Sequence, residues 1–273
     1  MAESPTDTAA LARTCQDLYT ALRQDAPLVQ CLTNFVSMNI AANVLLAMGA
    51  SPAMVHATDE APEFARVAGA VVINIGTLSA PWLESMLLTA ASARQTGIPW
   101  VLDPVAHHAT AFRRDAVRQL LALQPTIVRG NASEIIALAG GHSAGKGVDA
   151  RDVVAQAEQS ARDIATAHRT VVAVTGETDY VTDGQRSVRI TGGSPLMPSV
   201  TATGCALTAL VGAFAAVSKN DPYTAAVAAL SCFAIAGRRA GELAEGPGSF
   251  AWRFLDALAS LETDCLTRES PLR

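Results

Sequence analysis

Along most of the chain, apolar runs of strand length alternate with longer segments whose apolar positions recur at helical spacing. PLVQCL precedes VSMNIAANVLLAMG, AVVINIG precedes SAPWLESMLLTAASARQTG, IPWVLD precedes FRRDAVRQLLALQ, and TIVRG precedes NASEIIALAG. That order is the signature of β–α–β units. The runs AVVINI and VVAVTG are apolar at nearly every position, as a parallel strand covered on both faces requires, so helices are predicted on both sides of the sheet. After VVAVTG the rhythm changes. DYVT and QRSVRI flank Asp183-Gly184, a two-residue hairpin signal, and this edge is predicted to turn antiparallel. From Thr203 onward three helices are predicted, at about 203 to 217, 221 to 240 and 249 to 262, with Asp221-Pro222 and Gly246-Pro247-Gly248 as breaks. No repeat, linker or boundary interrupts the pattern, so a single α/β domain over residues 1–273 is expected, with Gly140 to Asp149 (GGHSAGKGVD) as a mobile rim loop.

Composition narrows the function. Half of the 273 residues are hydrophobic and 16% are charged, ample for a core and unlike a disordered chain. Lys and Arg total 20 against 25 Asp and Glu, with no basic run, which argues against a nucleic-acid surface or a polybasic membrane anchor and favours a small-molecule substrate. The longest strongly apolar stretch, Cys205 to Val217, has 13 residues, short of the roughly 20 that cross a bilayer, and predicts a buried helix. The opening MAESPTDTAALARTCQDLY has neither a basic nor an apolar leader region, so a cytoplasmic location is expected. Five cysteines, at 15, 31, 205, 232 and 265, with no C-x-x-C, fit reduced core thiols better than a disulfide framework or a zinc site.

Two glycine-containing runs could hold phosphate. Gly140-x4-Gly145-Lys146 imitates the start of a P-loop, but Gly147 stands where the metal-binding Ser or Thr is needed, and the run follows a helical pattern instead of a strand. The stretch Val200-Thr201-Ala202-Thr203-Gly204-Cys205-Ala206 is more informative, because it is a turn of small residues directly before a long apolar helix. First-turn N–H groups with the helix dipole behind them suit a phosphate or a developing anion, and the same field favours thiolate at Cys205. The competing reading is that Gly204 permits tight packing and Cys205 is a small buried hydrophobe.

These residues resemble a known family. Thr-Ala-Thr-Gly-Cys at 201–205, Gln30-Cys31-Leu32-Thr33-Asn34 followed by Asn39 and Ala42-Asn43, Gly49-Ala50-Ser51-Pro52-x-Met54, Asn74-Ile75-Gly76-Thr77-Leu78, Leu102-Asp103-Pro104-Val105, Arg129-Gly130-Asn131-x-x-Glu134, Lys146-Gly147-Val148-Asp149, Val174-Thr175-Gly176-Glu177 and Gly246-Pro247-Gly248-Ser249-Phe250 occur in the order of the hydroxyethylthiazole kinases. The resemblance covers about residues 28–262, and so many blocks in sequence are far more specific than any one. It implies a ribokinase-like three-layer α/β/α domain and phosphorylation of the primary alcohol of 4-methyl-5-(2-hydroxyethyl)thiazole with ATP and Mg²⁺ in thiamine salvage. It also implies a homotrimer with active sites between subunits. Two departures stand out: the imidazoles of His107 and His108 follow Asp103-Pro104-Val105-Ala106, and Ala202 occupies a position where relatives can carry Gly.

By this resemblance Cys205 is the catalytic residue at the substrate hydroxyl, as a base or as a group that positions the alcohol. The N–H groups of Ala202, Thr203 and Gly204 form the anion pocket with it. Asn34, Met54 and Ala202 belong to the thiazole side, Arg129 and Thr175 to ATP, and Asp103 with Glu134 to Mg²⁺, through waters. Two alternatives stand beside this: a ribokinase-like kinase of another small alcohol such as a hydroxymethylpyrimidine, which residues 30 to 54 would decide, and a catalytically silent trimer that binds a thiazole or a nucleotide.

Overall fold

The computed structural model describes residues 7–141 and 150–273. In chain order the elements are α1 (Thr8–Asp25), β1 (Leu28–Leu32), α2 (Met38–Met48), β2 (Ser51–Ala53), α3 (Ala61–Phe64), β3 (Ala70–Asn74), α4 (Ala80–Thr96), β4 (Trp100–Asp103), α5 (Ala111–Ala122), β5 (Ile127–Asn131) and α6 (Ala132–Leu138). They continue with α7 (Ala150–His168), β6 (Val171–Thr175), β7 (Thr178–Thr182), β8 (Ser187–Thr191), α8 (Thr203–Val217), α9 (Pro222–Leu243), α10 (Pro247–Ala259) and α11 (Cys265–Arg268). The strands form one sheet of eight in the order β2-β1-β3-β4-β5-β6-β7-β8, parallel from β2 to β6 and antiparallel across β7 and β8.

Alternate residues of each strand feed two cores. Val29, Cys31, Val72 and Val101 pack with α1, α2, α8, α9 and α10 on one face, while Val71, Ile73, Trp100 and Leu102 pack with α3 to α7 on the other. This three-layer arrangement is why β3 is buried at every position and why its sequence does not alternate. Helix α8, apolar around nearly its whole circumference, is buried between the sheet and its helical neighbours, as the apolar run predicts. Among the described residues no helix is long and apolar enough to cross a membrane. The five cysteines are free; all but Cys205 are buried.

Two expectations need adjustment, and one falls outside the described residues. The β7–β8 hairpin closes through four residues, 183–186, because Thr182 pairs with Ser187; the Asp183 side chain caps the turn by accepting from Gln185 N and Arg186 N at 2.9 and 2.7 Å. The last helices run 222–243 and 247–259, since Pro222 and Pro247 are their first residues and each helix starts where a missing N–H is harmless. Residues 142–149, which carry most of the expected rim loop and the P-loop-like Gly145-Lys146, lie outside the described residues.

Helix α8 lies so close to the sheet that a Cβ on Gly212 would stand 2.5 Å from Val72 Cγ2 and 3.4 Å from Val29 Cγ1. Val72 is β-branched and held in a central strand, so it cannot swing aside. Gly212→Ala should therefore lower stability by about 1–2 kcal/mol despite the better helix propensity of Ala, read as a melting temperature a few degrees lower. An unchanged or raised melting temperature would contradict the close packing.

Candidate active site

The carboxyl ends of the parallel strands converge on one edge. Thr33-Asn34 follow β1, Asn74 closes β3, Asp103 closes β4, Asn131 closes β5 and Thr175 closes β6. Chain direction across the sheet reverses between β1 and β3, and open parallel sheets bind their ligands at such a switch point. The first turns of α8 lie over this edge, where Thr208 Oγ1 donates to Asp103.

Asp103 is 1% exposed, and its hydrogen bonds are one-sided. Oδ2 accepts from Asn74 Nδ2 at 2.8 Å and Thr208 Oγ1 at 2.7 Å, and faces Arg129 Nη1 at 3.6 Å. Oδ1 is buried with no hydrogen-bond partner among the described residues. Burial pushes the carboxyl up to about 6; the Arg129 charge and the Thr208 and Asn74 bonds pull against that, and the Glu134 charge adds to it. A carboxylate oxygen left bare in a buried site is a cation ligand in waiting. Glu134 is differently placed. It closes a capping box on α6, its Oε2 accepting from Asn131 N and its Oε1 from Ala106 N, each at 2.9 Å. Spare lone pairs remain on both oxygens, so Glu134 fits contact with a cation through water. Among the described residues no group of three or more His, Cys, Asp or Glu forms a metal cage.

Positive features gather beside this acid. Arg129, on β5, donates from Nη2 to Thr175 Oγ1, which joins the two residues expected at ATP. Its guanidinium lies against the start of α8, where a Cβ on Gly204 would stand 2.8 Å from Nη1. Helix α8 has no side-chain cap, so the ladder leaves its first N–H groups, those of Thr203, Gly204 and Cys205, without partners. A guanidinium packed on the positive end of a helix is favourable only with an anion between them. Both border a cavity of about 990 Å³ whose walls include Arg129, Thr175, Asp179, Gly193, Met197 and Gly204. Ala202, the N-cap, has φ +60°, a left-handed conformation that costs a residue with a Cβ roughly 1 kcal/mol and that explains why Gly suits this position.

Cys205 is half-buried; its Sγ accepts from Asn34 Nδ2 at 3.4 Å. Burial and the Asp103 charge push the thiol up, and the Asn34 and Asn74 amides and Arg129 oppose them. Asn34 is 4% exposed and makes its bonds within the protein. Met54, after β2, is partly buried against the core that includes α2. Cys205, Asn34, Asp103 and Met54 do not line the large cavity, whereas Arg129, Thr175, Thr203 and Gly204 do. His107 is buried on a one-turn helix after β4 and His108 is exposed beside it, their rings 5.7 Å apart.

The sequence reading gave no role to four residues here. Asn74 and Thr208 bind Asp103, Arg113 donates to the carbonyls of Ile75, Val105 and Gly76 at 2.7–2.9 Å, and Asp179 accepts from Gly176 N on the cavity wall. Asn74 and Thr208 carried a usable signal, each a polar side chain inside an otherwise apolar run.

A family model described as the hydroxyethylthiazole kinase family matches residues 19–264. The hydroxyethylthiazole kinase of Rhizobium rhizogenes is 65% identical over 253 residues, 93% of this chain and 94% of the relative. A solved hydroxyethylthiazole kinase from Pyrococcus horikoshii superposes with a TM-score of 0.88 at 40% identity, covering 96% of this chain and 98% of that one. A Staphylococcus aureus pyridoxal kinase in complex with AMP-PCP shares the fold, with a TM-score of 0.59 at 17% identity over 78% of this chain and 88% of that one.

The buried acid makes stability depend on pH. The folded-state value of Asp103, about 6, lies above the unfolded one, so the cost of ionising it is absent below about pH 4, grows between the two values and is complete above about 6. In chelator-treated protein Asp103→Asn escapes that cost. Its melting temperature relative to the wild type should rise by a few degrees between pH 4 and pH 7. A difference that stays constant with pH would show that Asp103 ionises without penalty.

Proposed function

This chain belongs to the hydroxyethylthiazole kinase family, and on that premise we propose that it transfers the γ-phosphoryl group of ATP to the primary hydroxyl of 4-methyl-5-(2-hydroxyethyl)thiazole, the salvage step that returns the thiazole to thiamine synthesis. The observation that carries the assignment of roles is the convergence of the Arg129 guanidinium and the uncapped start of α8 beside a nucleotide-sized cavity. ATP occupies that cavity with its phosphates toward Arg129 and Thr175. The N–H groups of Thr203, Gly204 and Cys205, with Ala202 at the turn, take the γ-phosphoryl oxygens as negative charge gathers on them.

Asp103, through its bare Oδ1, and Glu134, through water, are the residues that would hold Mg²⁺. The ion would supply positive charge against the charge that gathers on the phosphates. Cys205 stands at the other end of the transfer, at the alcohol. With its pKa raised, the thiol is protonated at neutral pH, so it orients the hydroxyl more than it deprotonates it in the ground state. A loose transition state tolerates this: the oxygen attacks phosphorus in line, the bond to the β-phosphate oxygen breaks to release ADP, and the alcohol proton passes late to an oxygen of the transferred phosphoryl group and on to water as the new P–O bond forms. Asn34 and Met54 lie toward the thiazole.

The thiazole side is the open side of the chain. Phe35 and Val36, next to Asn34, are 67% and 58% exposed. A second subunit seated there would cover them and close the pocket, and this supports a homotrimer with sites between subunits. Light scattering of the active enzyme reads that state, and an active monomer would remove the shared site.

A coupled assay with ATP, Mg²⁺ and a panel of thiazole and pyrimidine alcohols tests the assignment. The hydroxyethylthiazole should be turned over fastest, and a preference for a pyrimidine alcohol would overturn the substrate. In the same assay Arg129→Ala should raise the KM for ATP and lower kcat about tenfold or more. Unchanged ATP kinetics would take Arg129 off the phosphates.

A further inference from the structure

Two asparagines are buried between the acid that closes β4 and the half-buried sulfur of Cys205, and their hydrogen bonds admit one orientation each. Asn74 and Asp103 are register partners on β3 and β4, and Asn74 Nδ2 donates to Asp103 Oδ2 at 2.8 Å. At the other end of the amide, Asn74 Oδ1 accepts from Gly76 N at 2.9 Å and from Asn34 Nδ2 at 2.8 Å. A main-chain N–H can only donate, so oxygen and nitrogen cannot be exchanged without losing these bonds. Asn34 is fixed by the same logic. Its Oδ1 accepts from Val36 N at 3.1 Å and Ser37 N at 3.0 Å, which leaves Nδ2 to face both Asn74 and the Cys205 sulfur.

Every donor and acceptor in the chain is therefore fixed. Asn34 Nδ2 donates both to the Cys205 sulfur and to Asn74 Oδ1, and Asn74 Nδ2 donates in turn to the Asp103 carboxylate. The backbone around it leaves no slack. A Cβ on Gly76 would stand 2.6–2.8 Å from Asn34 Nδ2, Cγ and Cβ, so the amide lies directly on that glycine. Arg113 grips the carbonyls of Ile75, Gly76 and Val105, which locks the segments after β3 and β4 together. With one side of the sulfur held by Asn34, its S–H is left to turn outward.

We propose that Asn34 and Asn74 are positioning residues for phosphoryl transfer: an amide relay that holds the Cys205 sulfur in register with the Asp103 carboxylate and turns the thiol toward the substrate hydroxyl. The proposal rests on the reading that Cys205 stands at that hydroxyl. It also gives Asn34 a task distinct from touching the thiazole ring, since both ends of its amide are already engaged within the protein.

A purely structural pair of amides would lower stability and leave the chemistry of the folded enzyme alone, so the test uses coupling and thiol reactivity. Asn34→Ala and Asn74→Ala are each made in the wild-type and Cys205→Ala backgrounds; if one fails to fold, the other carries the test. With Cys205 present, each should lower kcat about tenfold or more, with the KM for ATP within about twofold; with Cys205 replaced, the further loss of kcat should be at least about fivefold smaller. Alkylation of Cys205 by iodoacetamide, followed by peptide mass spectrometry as a function of pH, gives the second readout, because the other four cysteines are buried. Loss of the Asn34 donor should move the half-titration point of alkylation upward by about half a pH unit or more, whereas a simple gain of access changes only the plateau rate. Equal kcat losses in both backgrounds with an unmoved alkylation profile would overturn the relay. Full kcat in Cys205→Ala alone would refute the placement of the thiol at the alcohol, and the alkylation profile would then decide the relay by itself.

Discussion

The site depends on a carboxylate that the fold desolvates and then satisfies on one side only. Asp103 closes a central strand between two helical layers, and Asn74, Thr208 and Arg129 all address Oδ2. Burial makes such a group expensive to ionise, and its carboxyl is pushed up to about 6 as a result. Position in the sheet follows from the parallel register, which sets Asn74 beside Asp103 and brings the ends of β1, β3 and β4 to one edge. The acid is thus a fixed reference point to which the alcohol side and the phosphate side are both connected.

On the phosphate side, the same economy of charge recurs with the opposite sign. Arg129 lies on the start of α8 because residue 204 has no side chain, and the helix start is uncapped. Two positive features held together await an anion, as the bare oxygen of Asp103 awaits a cation. In the proposed reaction, phosphates and a divalent ion would supply both at once. The raised pKa of the Cys205 thiol agrees with its proposed role of orienting the alcohol.

The sheet was legible in the sequence because its strands are apolar at nearly every position, and the antiparallel edge because a turn signal separates two short β runs. The turn itself was misread, since Asp183-Gly184 opens a four-residue loop whose geometry depends on side-chain caps. Helices α1 and α7 went unread although both are strongly amphipathic, and so did the strand β2, which is three residues long with a Pro. At the site, the anion-ready start of α8 could be argued from small residues ahead of an apolar helix. Asn74 and Thr208 stand out as polar residues in apolar runs, but that they meet at Asp103 could not be read, because they come together only after strands and a helix have been assembled.

What gathers at Asp103 decides between these roles and any other. A crystal structure of the enzyme with a non-hydrolysable ATP analogue and Mn²⁺, with the metal located by its anomalous signal, tests this most directly. The ion is expected on the Oδ1 side of Asp103, bound directly or through one water, with the terminal phosphate between Arg129 and the first N–H groups of α8. An ion held elsewhere, with Oδ1 of Asp103 still bare and the phosphates away from Gly204, would contradict it.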